Sequence, residues 1–396
     1  MKKSLLFGAA AIMALAANAQ TVEQVWNHSM ADHTTAETRS IGSLGDKALV
    51  PNTTTQELEV WGANGMESSY KLGEWLTTNE IKLNADDESC LVMGRGVSVD
   101  EAGNIITNLN FPAVSSGRLF LAIKPNGEST YIPCEYPTTL NVPDGAGRCD
   151  FLGDKTAGDV FGNAFIITTP NLMQDAVVYN IFEGEQDLDY SYNVKIGDPD
   201  NTESWNTEST AIPLESLGED AAQAPKFIAR SRGIACFRVS ADGKENLQKL
   251  YGENDTIMWG AATCTNFTAF TVNGKSYAVV NQPTGGVRTH AWELFDLETS
   301  KSLYRWEMPE GEGANYMVGF SSSVNEDGTV NIYQFNPGIR LTKYLFTPEA
   351  GGVEDAIATD ANAPVKYYNL QGVEIANPEN GLFIKKQGAK ATKVVL

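Results

Sequence analysis

Between Thr21 and Pro348 almost no stretch of eleven or more residues holds a helical period. Short apolar or alternating runs recur instead, each cut by a turn dipeptide. Asn64-Gly65, Asn126-Gly127, Asp144-Gly145, Asp242-Gly243, Asn273-Gly274 and Asp327-Gly328 all suit tight hairpins, whose favoured turns need positive φ. Residues 270–280 show the pattern: Phe270-Thr271-Val272, the Asn273-Gly274 turn, then Ser276-Tyr277-Ala278-Val279-Val280. The body of the chain is therefore expected to be all-β.

The strands also repeat. Ser98-Val99-Asp100-Glu101-Ala102-Gly103-Asn104-Ile105 matches Ser323-Val324-Asn325-Glu326-Asp327-Gly328-Thr329-Val330, and the copies lie 225 residues apart, four intervals of about 56. Weaker copies fall near the same interval. Arg39 opens Ser40-Ile41-Gly42-Ser43-Leu44-Gly45-Asp46-Lys47, and Arg95 opens a second unit. Arg148 opens a third, in which Leu152-Gly153-Asp154-Lys155 echoes Leu44-Gly45-Asp46-Lys47. A fourth unit centres on Ile234 to Leu250, a fifth starts near Trp259 and a sixth near Tyr316.

Six units of four short strands take up the residues from Gln20 to Pro348, and seven units of about 47 residues also fit. A pair of β-sandwiches is the rival architecture, because turn spacing alone does not separate the two. The long-range octapeptide match favours a β-propeller of six, alternatively seven, four-stranded blades. Trp292-Glu293-Leu294-Phe295-Asp296-Leu297-Glu298-Thr299-Ser300-Lys301 supports it, an alternating strand ending in Asp and then a Thr-x-Lys turn. That segment resembles the outer-strand phrase of many propeller repeats. Val22 to Trp26 precedes the first unit, and such a stray strand often closes a ring by pairing with the last blade. Over residues 20–348 the chain resembles exported propeller-like proteins of Bacteroidota.

The N-terminus speaks to compartment. Lys2 and Lys3 precede an apolar run from Leu5 to Ala17, and Ala17-Asn18-Ala19 supplies a small-x-small cleavage pattern. Residues 1–19 are thus expected to be a secretory signal peptide, with the mature chain starting at Gln20. The apolar run is too short for the ~20 residues of a membrane-spanning helix, and no later run approaches that length. Removing the two lysines takes the formal net charge from -21 to -23. Such a surface repels phosphate backbones and anionic lipid, which argues against nucleic acid as a partner, and it also serves simple solubility. An extracellular or outer-surface location is expected, with the periplasm as the alternative. Five cysteines (Cys90, Cys134, Cys149, Cys236, Cys264) are too few for a disulfide-built scaffold and form no CxxC pair. Cys134 and Cys149 are able to close one loop, but spacing does not decide it.

Composition changes after Pro348. Residues 349–363 are rich in Ala, Gly, Asp and Glu and read as a linker. Residues 364–396 then hold Val365 to Val373, an Asn380-Gly381 turn, Leu382-Phe383-Ile384 and a last strand Thr392 to Leu396. Lys366-Tyr367-Tyr368-Asn369-Leu370-Gln371-Gly372, Gly381-Leu382-Phe383-Ile384 and the Lys-rich terminal strand make this segment similar to the C-terminal sorting domain of type IX secretion cargo in Bacteroidota. The copy is shorter than that domain and resembles mainly its second half. The resemblance implies recognition by secretion machinery at the outer membrane. A small docking hairpin is the other reading.

Catalytic motifs are scarce. The three histidines, His28, His33 and His290, lie outside any Gly-x-Ser-x-Gly elbow, His-Glu-x-x-His helix or P-loop. No His/Cys pair has zinc-ligand spacing, and neither metal nor cofactor is expected. Ser98-Val99-Asp100 approaches a sialidase-type Ser-x-Asp-x-Gly box, but Gly103 comes one residue late, so a hairpin turn is the better reading. Acid-rich loops at 144–159 and 187–200 lack EF-hand spacing and read as solvated. Arg39, Arg95 and Arg148 open three repeats where inner strands would border a channel. Three guanidinium groups there would bind a carboxylate or sulfate, unless each pairs with a neighbouring blade's acid. Trp61, Trp75, Trp205 and Trp259 would stack on sugars if exposed, although propeller aromatics more often fill gaps between blades. The leading expectation is a non-catalytic exported propeller that recognises a glycan or protein. The alternative is a polysaccharide hydrolase or lyase using an acidic pair in the central pocket.

Overall fold

The computed structural model describes residues 20–33, 41–52, 54–55, 57–71, 92–110, 117–136, 155–168, 175–195, 210–213, 227–230, 237–239, 248–249, 267–284, 288–299, 301–307, 319–349, 365–369, 374–376, 378, 382–387 and 390–395. The chain divides into two compact units, Val22–Phe346 and the chain ends, Met1–Thr21 with Thr347–Leu396.

The larger unit is built from four-stranded sheets. After β1 (Thr21–Ser29), the first comprises β2 (Gly42–Leu44), β3 (Lys47–Asn52), β4 (Glu57–Gly62) and β5 (Gly65–Lys71). The second holds β6 (Val92–Val99), β7 (Ile105–Asn110), β8 (Gly117–Ile123) and β9 (Ser129–Glu135). The third holds β10 (Lys155–Gly158), β11 (Asn163–Thr168), β12 (Asp175–Phe182) and β13 (Glu185–Lys195). The fourth is β14 (Thr210–Pro213), β15 (Phe227–Arg230), β16 (Phe237–Val239) and β17 (Gln248–Lys249). The fifth is β18 (Phe267–Val272), β19 (Lys275–Thr284), β20 (Arg288–Asp296) and β21 (Lys301–Glu307). A composite sheet follows, with β22 (Gly319–Val324), β23 (Val330–Asn336) and β24 (Arg340–Thr347), and its outer position is taken by β1.

The first strands of these sheets touch in cyclic order: β2 meets β6, β6 meets β10, then β14, β18 and β22, and β22 returns to β2. Each sheet packs face-on against the next, so one apolar cluster spans each described seam. Leu49 and Val60 meet Val97 and Leu121 across the first and second sheets. Tyr277 and Trp292 meet Phe320 and Tyr344 across the fifth and the composite sheet. This is a β-propeller, and the sandwich alternative falls away. Second strands are covered on both faces, as in the buried run of β23, whereas β5 and β21 are largely exposed. That explains why the central strands read as continuous apolar runs.

Local chemistry sets the hairpins. The matched octapeptides are the β6–β7 and β22–β23 turns. In both, the fourth residue's N–H bonds back to the first residue's carbonyl, Gly103 to Asp100 at 3.1 Å and Gly328 to Asn325 at 3.0 Å. Gly103 and Gly328 hold φ of 83° and 79°, a left-handed conformation that a side chain would strain, so the match preserves glycine there. Asp159-Val160-Phe161-Gly162-Asn163 closes the same hydrogen bond between β10 and β11, Gly162 N to Asp159 O at 2.9 Å, without a left-handed glycine at Gly162. Sequence reading misassigned this unit. Leu44 to Lys47 spans the β2–β3 turn, but Lys155 opens β10, so the tetrapeptide echo joins inequivalent positions. The fourth sheet runs from Thr210 to Lys249, so the expected centre at 234–250 falls on its last two strands, β16 and β17. Asn64-Gly65, Asn126-Gly127, Asn273-Gly274 and Asp327-Gly328 all stand between paired strands, while Asp144-Gly145 and Asp242-Gly243 lie outside the described residues. Trp292 to Asp296 lies in β20, and Asp296 Oδ1 accepts the N–H groups of Glu298 and Thr299 at 2.8 and 2.9 Å to fix the turn into β21.

The smaller unit carries one sheet of β25 (Val365–Tyr368), β26 (Glu374–Ile375), β27 (Leu382–Gln387) and β28 (Lys390–Val395), in the order β26-β25-β27-β28. Residues 1–19, the 350–363 part of the expected linker and the Asn380-Gly381 turn lie outside the described residues. Among the described residues no helix is long and apolar enough to cross a membrane.

Candidate functional site

Two concavities organise the propeller unit. The first is the central channel, about 260 Å³, to which β2, β6, β10, β14, β18 and β22 contribute. Its wall is hydroxyl-rich, and these hydroxyls bond one another across the seams. Ser98 Oγ lies 3.0 Å from Thr156 Oγ1, 58 residues along the chain. Thr268 Oγ1 lies 2.8 Å from Ser322 Oγ, 54 residues along. Ser43 Oγ donates to Ser322 O at 2.7 Å across 279 residues. The channel wall therefore serves as a belt that ties neighbouring inner strands together.

At the channel mouth the turns carry a carboxylate network. Asp100 is buried and accepts from Asn104 N at 2.8 Å, Asn104 Nδ2 at 2.8 Å and Val160 N at 3.0 Å. Asn104 Nδ2 also donates to Asp159 Oδ1 at 2.9 Å, 55 residues away. Burial pushes the Asp100 carboxyl above its ordinary range, and the neighbouring Asp159 charge adds to this against the opposing hydrogen bonds. Glu101 Oε1 accepts Gly158 N at 2.9 Å, and it is the one carboxylate among the described residues lining the channel. The near-match at Ser98 to Asp100 is thus a turn that joins two sheets. Asp159, from the acid-rich loop, is likewise engaged there. Among the described residues no group of three or more His, Cys, Asp or Glu is placed to hold a metal ion.

The second concavity is larger, a groove of about 960 Å³ on the outer rim between the second and third sheets. One wall is the β8–β9 hairpin and β9. The other is the β12–β13 hairpin, with Phe161 of the β10–β11 turn between them. Gln186 fixes the spacing: its Oε1 accepts Glu135 N at 2.6 Å and its Nε2 donates to Glu135 O at 2.9 Å. Both backbone groups of Glu135 therefore point away from β8, toward the outer edge. By the two-residue period of a strand, Pro133 also presents its backbone to that edge, where its missing N–H leaves no ladder bond unmade.

Among the described lining residues, Glu128, Glu135, Glu183 and Glu185 stand against one cation, Lys124. Lys124 Nζ is 3.1 Å from Glu128 Oε2 and 4.6 Å from the centroid of the Phe161 ring. That bond draws the exposed Glu128 carboxyl below its usual range. Leu188 lies in the groove with 40% of its surface exposed, and Phe182 and Tyr190 of the same hairpin are 55% and 51% exposed. Glu183 sits at φ 51°, a position that Asn or Gly ordinarily fills in such a turn. This groove was not anticipated from the sequence.

The seam that closes the ring gathers the other candidates. His33 Nε2 lies 2.7 Å from Glu59 Oε2, Trp61 Nε1 donates to the same oxygen at 2.8 Å, and Asn52 Nδ2 donates to Oε1 at 2.8 Å. His28 Nε2 meets Gly62 O at 2.7 Å, and the His28 ring lies 4.9 Å from Trp26. Trp61 is thus part of the seam. Both histidines there tie the N-terminal segment to the first sheet. Arg95 is in β6, while Arg39 and Arg148 lie outside the described residues, as do Trp75, Trp205 and Trp259. Cys134 is buried on β9, and Cys149 lies outside the described residues.

No protein-family model matches the chain. No curated protein matches it either. Among solved structures it is similar to a DUF4623 family protein from Bacteroides eggerthii, at 14% identity, a TM-score of 0.48, and coverage of 81% of this chain and 73% of that one. It is also similar to AofleA from Arthrobotrys oligospora, at 10% identity, a TM-score of 0.43, and coverage of 95% and 92%. Virginiamycin B lyase from Staphylococcus aureus shows 9% identity, a TM-score of 0.42, and coverage of 82% and 99%.

Proposed function

We propose that the chain is an exported six-bladed propeller that recognises a glycan or a protein at the cell surface or outside the cell, without catalysing a reaction. The observation that carries this reading is the rim groove, a concavity of about 960 Å³ whose wall mixes an aromatic ring, exposed apolar side chains and hydrogen-bonding groups. Such a lining holds a ligand through stacking and polar contacts and offers no nucleophile paired with a base. The channel supports the same reading, because its described lining offers one carboxylate where glycoside hydrolysis needs two facing one bond. The six-blade count is supported by the cyclic contacts of the inner strands and by β1 completing the composite sheet.

The proposal retains residues 1–19 as a signal peptide and 364–396 as a sorting-like module that secretion machinery would read. Arg39, Arg95 and Arg148 remain in it as candidate contacts for an anionic group. Two measurements test it. N-terminal sequencing of the exported protein should begin at Gln20. The mature protein, applied to glycan arrays and to surface proteins, should bind a ligand, and substitution at Leu188 should weaken that binding. Absence of binding to every glycan and protein class would remove the reading, and turnover of a polysaccharide would replace it with the enzymatic one.

A further inference from the structure

The chemistry of the rim groove also selects its ligand. Resting on the recognition reading above, we infer that the groove takes an extended basic peptide segment, in which lysine or arginine side chains alternate with apolar ones. Four glutamates line the groove against Lys124, which Glu128 already pairs at 3.1 Å. Among the described residues that line the groove, Glu135, Glu183 and Glu185 have no cation beside them. An anionic glycan or phosphate meets repulsion from them, and a neutral sugar leaves their charge uncompensated.

Carboxylates alone attract any cation, and the apolar surface narrows the choice. Leu188 in the groove is 40% exposed, and Phe182 and Tyr190 of the same hairpin are 55% and 51% exposed, on a sheet whose other large apolar side chains are mostly covered. A bare metal ion covers none of that surface. Lysine and arginine do both tasks, since their aliphatic stems lie along apolar groups while the charged head reaches a carboxylate. A peptide presents such side chains in series, one to each carboxylate along the groove. Gln186 uses a side-chain amide to accept from Glu135 N at 2.6 Å and donate to Glu135 O at 2.9 Å. That amide occupies the β9 edge and Pro133 offers no N–H there, so the peptide is held by its side chains rather than by strand addition.

The test uses the full mature chain and a labelled six-residue Lys-Leu repeat peptide, with Glu-Leu and Ser-Leu repeats and a neutral oligosaccharide beside it. The Lys-Leu peptide should bind, and binding should weaken as salt rises. Glu183→Gln with Glu185→Gln should weaken it by about tenfold, the scale of two partly exposed ion pairs. Leu188→Ser should weaken it as well. Glu298→Gln with Glu326→Gln removes two carboxylates from other exposed turns and should leave binding unchanged. All five positions are exposed, and an unchanged thermal midpoint shows that the variants are folded. Equal loss in both double variants would mean attraction to the acidic surface at large, and the inference would fall. Binding of the neutral oligosaccharide alone, lost on Leu188→Ser, overturns the peptide while leaving recognition standing. Failure of the Lys-Leu peptide to bind removes the inference, and the recognition reading is then decided by the glycan arrays and surface proteins.

Discussion

Glu59 is the side chain on which the closing seam turns, and its removal has a calculable effect. Its carboxylate, 6% exposed, accepts from His33, Trp61 and Asn52 at 2.7, 2.8 and 2.8 Å. Burial pushes the carboxyl up, but the bonds from His33, Asn52 and Trp61 together outweigh it, and the group lies below its ordinary range. Hydrogen bonds to a charged group contribute about 1.5–3 kcal/mol each, and removing one partner of a buried pair costs about 3–5 kcal/mol because the others stay buried. Glu59→Ala is therefore expected to destabilise the propeller by roughly 4 kcal/mol. A body of this size unfolds with an entropy near 0.7 kcal/mol/K, so the midpoint should fall by about 6 °C in calorimetry. Glu59→Gln, which keeps the acceptor for Asn52 but turns a donor toward Trp61, should fall roughly half as far. The pH dependence is the sharper readout. A carboxyl whose folded pKa is depressed contributes above its unfolded value, and the contribution fades as pH falls through the folded value. The gap between wild type and Glu59→Ala should therefore shrink as pH drops from 7 to below 4. Equal midpoints at pH 7, or a gap indifferent to acid, would refute the role given to this carboxylate.

Asp100→Ala supplies the opposite sign. Its folded pKa is raised by burial and by Asp159, so its contribution is full below the unfolded value and is lost as pH rises through the folded one. The gap to wild type, about 2 kcal/mol in urea unfolding from the orphaned N–H groups, should widen on acidification. Trp292→Ala opens a cavity between the fifth and composite sheets, where Trp292 packs 5.1 Å from the Tyr344 ring, and should lower the unfolding free energy by about 3–5 kcal/mol. Gly328→Val forces a β-branched residue to φ 79° and should lower stability by about 1–2 kcal/mol with the β-sheet circular dichroism retained.

The hairpins were legible because their signals are local. Asn273-Gly274 and Asp327-Gly328 announce turns whatever surrounds them, and Gly103 and Gly328 must recur wherever the same three-residue loop recurs. The repeat interval was legible for the same reason, and the hydroxyl belt follows it, with separations of 58 and 54 residues at Ser98–Thr156 and Thr268–Ser322. Short tetrapeptides carry too little information, and the Leu152 to Lys155 echo misled. The rim groove had no local sign, because Glu128, Phe161 and Glu185 meet only after two sheets stack. Glu183 was the nearest hint, a glutamate in a slot whose backbone favours Asn or Gly. The roles of His33 and Glu59 were hidden likewise, since nothing in either segment names the other.

The composite sheet has a consequence for how the molecule comes into being. Thr342 Oγ1 reaches Asn27 Oδ1 across 315 residues, so β1 finds its partner only after every strand between them has been made. Bringing such distant ends together in an open chain carries a closure entropy of about 5 kcal/mol, which falls as the intervening blades assemble. The seam is then the last place to form and the first to part. A chain trimmed of residues 20–29 would leave β24 with a bare outer edge, and a bare edge pairs with whatever strand is near. The N-terminal strand of a second copy fits that edge best. Proteolytic nicking between Ser29 and Gly42 would thus turn a self-contained ring into a donor and acceptor for strand exchange.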